Sequence, residues 1–320
     1  MPAFRVLITD IAWPDLSLER AILDRIDAEL ILAERQDPAS LAALAGPVDA
    51  IMTNWVKVPA EVIAAAPKCR IVSRLGIGLD NIDVAYCTAH KIPVTNVPDY
   101  CVIEVAEHAL ALLLAMARKI VFFDRQSQQG VYQLQAGPPL RRIEGQTLGI
   151  VGFGNIGRRL AEKAIGLGMR VLATSRSRRD PLSGVAFAEL DQLLAESDYV
   201  SLHIPATPET KHLLNAERLA RMKPSAYLIN TARGAVIDEA ALAVALERGQ
   251  LAGAALDVQA HEPPDLSQPP FNDPRVIVTP HAAFVSEESI ADLRRRVAEQ
   301  VAARLSGETP KHVVNPAALT

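Results

Sequence analysis

The chain has 320 residues, 49% of them hydrophobic and 22% charged, with a formal net charge of −4. Those totals suit a globular protein of about two domains. They give no electrostatic reason to expect nucleic acid or an anionic membrane as a partner, so neither is expected.

Met1 to Thr9 lacks the basic segment and apolar run of a secretory leader. The most apolar stretch, Ala109 to Ala117, is too short to span a bilayer. Cys69, Cys87 and Cys101 show no metal-ligand spacing, so no metal site is expected and the thiols read as reduced, in a cytoplasm. Short apolar runs then alternate with helical patterns, which implies an α/β fold with parallel sheets flanked by helices. The first strand candidates are Phe4–Thr9, Glu29–Ala33, Ala50–Thr53, Ile71–Arg74 and Pro93–Asn96, with helical patterns such as Leu18–Arg25 and Ala60–Ala66 between them. A long helical pattern covers Val102–Arg118, and the polar stretch Gln126–Pro139 reads as a loop. A second series follows: Thr147–Val151, Arg170–Thr174, Tyr199–His203, Ala226–Asn230, Gly253–Asp257 and Val276–Thr279. Six strands in such alternation match a doubly wound, Rossmann-type nucleotide-binding domain. The helical pattern Glu287–Leu305 is expected to cross back to the first domain. The expected division is therefore 1–100 with 288–320 as one domain, and 101–287 as the dinucleotide-binding domain.

The strand Thr147–Val151 runs directly into Gly152-Phe153-Gly154-Asn155-Ile156-Gly157 and then a helical pattern. In that context the glycines have distinct tasks. Gly152 permits a tight turn, Gly154 lets the backbone approach a pyrophosphate, and Gly157 lets helix and strand pack closely. The helix N-terminus offers N–H groups to the phosphate charge, and Asn155 and Ile156 belong to that cradle. An acid at the end of the next strand would hold the ribose 2′-OH of NAD. Here the strand Arg170–Thr174 is followed by Ser175-Arg176-Ser177-Arg178-Arg179, with no carboxylate before Asp180. Ser and Arg bind a 2′-phosphate that a carboxylate would repel. The expected cofactor is thus NADP(H), around Ser175, Arg176 and Ser177, with NAD(H) as the alternative.

Reduction of a 2-oxo acid needs a cation for the carboxylate and an acid for the carbonyl oxygen. Candidates stand after strand candidates, where open α/β sheets place their sites. Arg233 lies in Asn230-Thr231-Ala232-Arg233-Gly234, Glu262 shortly after Leu256-Asp257-Val258, and His281 in Thr279-Pro280-His281. A carboxylate bonded to His281 would raise its pKa and fix its tautomer.

These strings, with Ser73-Arg74-Leu75-Gly76-Ile77-Gly78-Leu79-Asp80-Asn81-Ile82-Asp83 and Val105-Ala106-Glu107-His108-Ala109-Leu110, make the chain resemble the D-isomer-specific 2-hydroxyacid dehydrogenases over nearly its whole length. The resemblance implies an NAD(P)-dependent oxidoreductase that interconverts a small 2-oxo acid and the D-2-hydroxy acid, with Arg233, Glu262 and His281 as its catalytic set. It implies a discontinuous, flavodoxin-like substrate domain whose loop at Leu75, Gly76, Ile77 and Gly78 binds the substrate carboxylate. It places His203, Ile204, Pro205, Thr207, Thr231, Ala232 and Asp257 at the cofactor, and implies a homodimer through the 101–120 helix region. Within the family the chain looks nearest the C-terminal binding protein and glyoxylate/hydroxypyruvate reductase branches. Phe284 stands where the former carry a pocket Trp. Phosphoglycerate dehydrogenases usually carry an Arg at the position of Thr53, and Trp55 adds apolar bulk beside it, which argues for an unphosphorylated substrate with Trp55 and Phe284 at it. The alternatives are a nucleotide-sensing scaffold of the C-terminal binding protein type and a D-3-phosphoglycerate dehydrogenase.

Overall fold

The computed structural model describes residues 2–176 and 182–320, so Ser177 lies outside the described residues. The chain divides into two units, Met1–Tyr100 with Ser286–Thr320, and Cys101–Val285.

The first unit runs β1 (Phe4–Ile8), α1 (Ser17–Leu23), β2 (Ala28–Leu32), α2 (Pro38–Ala45), β3 (Ala50–Thr53), α3 (Ala60–Ala64), β4 (Val72–Arg74), α4 (Val84–Ala89) and β5 (Val94–Thr95). Its strands form a parallel sheet in the order β2-β1-β3-β4-β5, the flavodoxin-like arrangement. Successive residues of a strand face opposite sides. In β1, Val6 and Ile8 enter the core under the terminal helices while Leu7 enters the core under the α2–α4 side.

The second unit runs α5 (Val102–Ala117), α6 (Ile120–Gln128), β6 (Thr147–Val151), α7 (Asn155–Gly166), β7 (Arg170–Thr174), β8 (Val185–Phe187), α8 (Leu190–Glu196), β9 (Tyr199–Leu202), α9 (Ala216–Leu219), β10 (Tyr227–Asn230), α10 (Glu239–Glu247), β11 (Gly253–Leu256) and β12 (Val276–Val278). The last helix, α11 (Glu287–Leu305), returns to the first unit. A buried ion pair fastens it there: Arg294 donates to both carboxylate oxygens of Glu19 at 2.8 and 2.7 Å, and its guanidinium lies over the Trp13 ring. Glu19 is 0% exposed, so removing Arg294 would strand a buried charge at about 3–5 kcal/mol.

The second sheet is all parallel, ordered β12-β11-β10-β9-β6-β7-β8 among the described residues. Strand order reverses between β6 and β9, the switch point at which doubly wound sheets bind ligands. Leu228 of β10 packs into one core and its neighbour Ile229 into the other, the second core being covered by α5 and α7. Gly149 in β6 has a packing reason: a Cβ there would lie 2.3 Å from Ser197 Oγ and 2.5 Å from Leu193.

Two expectations are corrected. The sheet has a seventh strand, β8, whose three residues are too few to show a period. The Gln126–Pro139 stretch is not wholly a loop. The helical pattern breaks at Lys119, which has a left-handed φ of 55°, and restarts as α6 through Gln128, with a 3-10 turn at Leu134–Ala136.

Candidate active site

All strands of the second sheet run the same way, so their C-terminal ends share one edge. That edge carries Gly152 after β6, Ser175 after β7, His203 after β9, Thr231 to Arg233 after β10, Asp257 to Glu262 after β11 and His281 after β12.

The glycine turn is shaped by close backbone packing. Gly152 has φ +99°, and a Cβ on it would meet His203 O at 2.3 Å and Ile204 Cγ2 at 2.6 Å. A Cβ on Gly157 would meet Gly152 O at 2.2 Å, so turn and helix touch directly. Gly154 differs: among the described residues nothing lies within 4 Å of its added Cβ. Gly154 is also the N-cap of α7, and no side chain caps that helix. An uncapped N-terminus on a 12-residue helix is the setting in which backbone N–H groups can receive an anion.

His203 and Thr231 each hold a covered polar atom with no hydrogen-bond partner among the described residues, Nδ1 and Oγ1 respectively. His203 Nε2 is 2.9 Å from Ser201 Oγ, and burial pushes this imidazole down to about 4, so it is neutral at pH 7. Covered, unpartnered polar atoms beside an open glycine turn suit a ligand rich in acceptors and donors. The loop beyond is stiffened by Thr210, whose hydroxyl accepts from Thr207 N at 2.7 Å and donates to Pro205 O. Arg176 is exposed, and its charge helps to hold the Glu209 carboxyl low, after the Thr207 hydrogen bond and the Glu209 backbone.

The Arg233 loop is set by a residue the sequence did not single out. Asn230 is fully buried, accepts from Ala232 N at 3.0 Å and donates to Arg233 O at 2.9 Å. Gly234 then lies against the next loop, where a Cβ would stand 2.0 Å from the Gln259 carbonyl carbon. This contact brings the Arg233 and Glu262 loops together. Glu262 in turn accepts from Gln259 N at 3.1 Å, and its other oxygen is 2.8 Å from His281 Nδ1. Burial pushes the Glu262 carboxyl up, but the His281 hydrogen bond and charge, Gln259 N and the Arg233 charge together hold it below 4.5. Glu262 is therefore an ionised acceptor that fixes the His281 ring, leaving Nε2 as the atom that can exchange a proton with a substrate. Phe284 packs edge-on to His281, ring centroids 6.0 Å apart.

Asp257, read from the family as a cofactor contact, is fully buried, and its carboxylate is used internally. It accepts from Thr279 Oγ1 at 2.5 Å, Ala282 N at 2.9 Å and Ala283 N at 3.0 Å.

The first unit carries the remaining candidates on the loops after β3 and β4. Asp10 is 4% exposed and accepts from Asn54 N at 3.0 Å and Trp55 N at 2.8 Å, which fixes the backbone under the half-exposed Trp55. Thr53 is fully buried, its hydroxyl donating to Val56 O at 2.8 Å. Gly76 lets the chain pass the Arg74 guanidinium, 2.8 Å from where a Cβ would sit. Leu75 is buried, whereas Ile77 and Gly78 are half-exposed.

Among the described residues no group of His, Cys, Asp and Glu forms a metal cluster, and no helix is long and apolar enough to cross a membrane.

The chain is similar to known proteins over most of its length. Residues 110–283 match the family model of the D-isomer specific 2-hydroxyacid dehydrogenase NAD binding domain. A glyoxylate reductase of Korarchaeum cryptofilum is 43% identical over 264 residues, 81% of this chain and 80% of that protein. A D-3-phosphoglycerate dehydrogenase of Synechocystis is 41% identical over 278 residues, 85% of this chain and 50% of that longer protein. A crystal structure of an NADPH-dependent glyoxylate/hydroxypyruvate reductase from Sinorhizobium meliloti, with NADP and malonate, superposes with a TM-score of 0.86 at 30% identity, covering 97% of this chain and 96% of that one. The chain belongs to the D-isomer-specific 2-hydroxyacid dehydrogenases, oxidoreductases that interconvert 2-oxo and D-2-hydroxy acids with a nicotinamide cofactor.

Proposed function

We propose that the chain is an NADPH-preferring reductase of a small, unphosphorylated 2-oxo acid, with glyoxylate the first to test. The observation that carries the catalytic assignment is the 2.8 Å contact between His281 Nδ1 and Glu262 beside the Arg233 charge. In this reading Arg233 pairs with the substrate carboxylate, as a guanidinium does well, and polarises the adjacent carbonyl. His281 donates its Nε2 proton to the carbonyl oxygen, and Glu262, bonded to Nδ1, holds the ring for that transfer. A nicotinamide bound at the second unit supplies the hydride to C2. Its pyrophosphate is assigned to the turn Gly152–Gly157, and its other contacts to Ser175, Arg176, His203, Ile204, Pro205, Thr207, Thr231 and Ala232. The first unit is assigned as the substrate domain, with Gly76, Ile77 and Gly78 offering backbone N–H groups to a carboxylate and Trp55 an apolar contact; Leu75 N already donates to Thr53 O at 2.8 Å, so Leu75 shapes this loop instead. Phe284, beside His281 in the second unit, is assigned the other apolar contact.

The preference for NADPH rests on Arg176 and Ser175 standing where NAD enzymes carry an acid. The preference for an unphosphorylated acid rests on Thr53, neutral and turned inward. Ile103, Ile120, Tyr132 and Leu134 are exposed on or beyond α5 and α6, which supports a homodimer through this region. Cys69 and Cys87 are free and buried, their thiols pushed up to about 12 by burial, which fits a reducing cytoplasm.

One panel tests the whole reading: glyoxylate, hydroxypyruvate, pyruvate, larger aliphatic 2-oxo acids and 3-phosphohydroxypyruvate, each with NADPH and NADH. Equal or better turnover with NADH would overturn the cofactor preference. Preference for the phosphorylated acid would replace the substrate class.

A further inference from the structure

We propose that His108, on α5, is a positioning residue for His281, acting through Thr279 and Asp257; this rests on reading His281 as the proton donor.

The turn after β12 is not one the backbone adopts readily. His281 has φ +52°, a left-handed conformation that costs a side-chain-bearing residue about 1–3 kcal/mol. Such a conformation persists when its surroundings over-determine it. Here they do. His281 N donates to both Asp257 O, at 2.9 Å, and Thr279 O, at 3.0 Å. The Asp257 carboxylate gathers Thr279 Oγ1, Ala282 N and Ala283 N, so it grips the turn on both sides of His281. The Asp257 side chain is 1% exposed, and a carboxylate so covered needs donors to all its lone pairs or a countercharge.

His108 orients one of these donors, the Thr279 hydroxyl. Its Nε2 is 3.1 Å from Thr279 Oγ1 and 3.4 Å from Asp257 Oδ1. The protons can be assigned. Thr279 has one hydroxyl proton, and the 2.5 Å contact commits it to Asp257. The proton between His108 and Thr279 therefore sits on Nε2, and His108 donates. Thr279 both accepts from His108 and donates to Asp257, so the three groups polarise one another. His108 is thus linked through a single hydroxyl to the carboxylate that shapes the proton donor's turn, and it comes from a helix that supplies none of the proposed catalytic set.

The test compares H108L, H108N and H108Q, with H281A in parallel, using glyoxylate and NADPH. Gln can place an N–H donor near the imidazole Nε2, whereas Asn is a methylene too short. We expect H108L and H108N to lower kcat by ~10–100-fold, the scale of a small misplacement of a catalytic group. KM for glyoxylate and Kd for NADPH should change by less than about threefold, and H108Q should recover most of the loss. A general loss of folding or cofactor binding would not produce that pattern. The double variant H108L/T279V should be no slower than the slower single variant, since both act through one link. Wild-type kcat in H108L, or equal kcat in H108N and H108Q, overturns the proposal. If H108L does not fold, the H108N and H108Q pair decides. Wild-type turnover in H281A would instead overturn the reading of His281, so the two failures are distinct.

Discussion

The turn after β6 and the turn after β12 stand on the same sheet edge but are built in opposite ways. The first is made by what is missing. Gly152, Gly154 and Gly157 take the chain through a tight corner by lacking side chains, and all three stand within six residues of one another, although the wall that Gly152 clears is the distant His203 carbonyl. The second is made by what is added. His281 sits in a left-handed conformation because Asp257, Thr279 and Glu262 hold it from 2 to 24 residues away in the chain. A locally coded turn can be read from a string, whereas a turn held by distant side chains cannot.

Legibility follows that difference. Gly152–Gly157 was readable as a turn between strand and helix, β6 and β7 to the residue, and β9 and β10 to within one residue, since their apolar runs are long enough to mark a strand. Arg233, Glu262 and His281 were readable as residue types after strands, but the 2.8 Å contact that joins two of them depends on Gly234 packing against Gln259. Asn230 and His108 gave no local signal of their tasks. An Asn ending a strand and a His on an amphipathic helix are ordinary, and only the tertiary partners single them out. The strand β8 was illegible because three residues cannot establish a period, and among the described residues it pairs only with β7, at the end of the sheet.

The largest expected effect falls on the side-chain-built turn. H281A should lower kcat by ~10²–10⁴-fold, the usual worth of general acid catalysis. NADPH affinity, measured by fluorescence titration, should stay within a few-fold. Loss of both together would mean that the two turns do not work separately, and the contrast would break.

The glycine turn is probed by the one position where a methyl group meets nothing. G154A has ordinary φ and open space around its Cβ, so the melting temperature of the apo protein should not fall. NADPH affinity should fall by about tenfold or more, since the backbone must approach the pyrophosphate there. G152A, by contrast, meets His203 O at 2.3 Å at φ +99° and should destabilise the apo fold itself by about 1–3 kcal/mol. Equal effects of the two substitutions on apo stability would sink the distinction between a shaped corner and an open cradle.

A smaller and more selective change is expected at the other end of the cofactor. A charge-assisted hydrogen bond is worth about 1.5–3 kcal/mol. R176A should therefore raise KM for NADPH by roughly 10–100-fold and leave KM for NADH nearly unchanged. A parallel rise for both cofactors would make Arg176 a general surface contact and leave the 2′-phosphate without its proposed partner.

The smallest effect separates the two roles of Glu262. Its carboxyl is held below 4.5 in the folded protein, with burial outweighed by the His281 hydrogen bond and the neighbouring charges. A carboxylate whose folded pKa is depressed stabilises the fold above its unfolded value, and that stabilisation is lost as pH falls through the folded value. Wild type should therefore lose more stability than E262Q as pH falls from about 5 through the acid limb, and the curves should run parallel above it. The side chain is 34% exposed, so solvent screening keeps the difference small. Activity should respond far more than stability, because Gln can accept a hydrogen bond from His281 but cannot offset its positive charge. An E262Q enzyme with unaltered turnover and an altered acid limb would make Glu262 a fold residue, and the turn after β12 would then owe its chemistry to His281 alone.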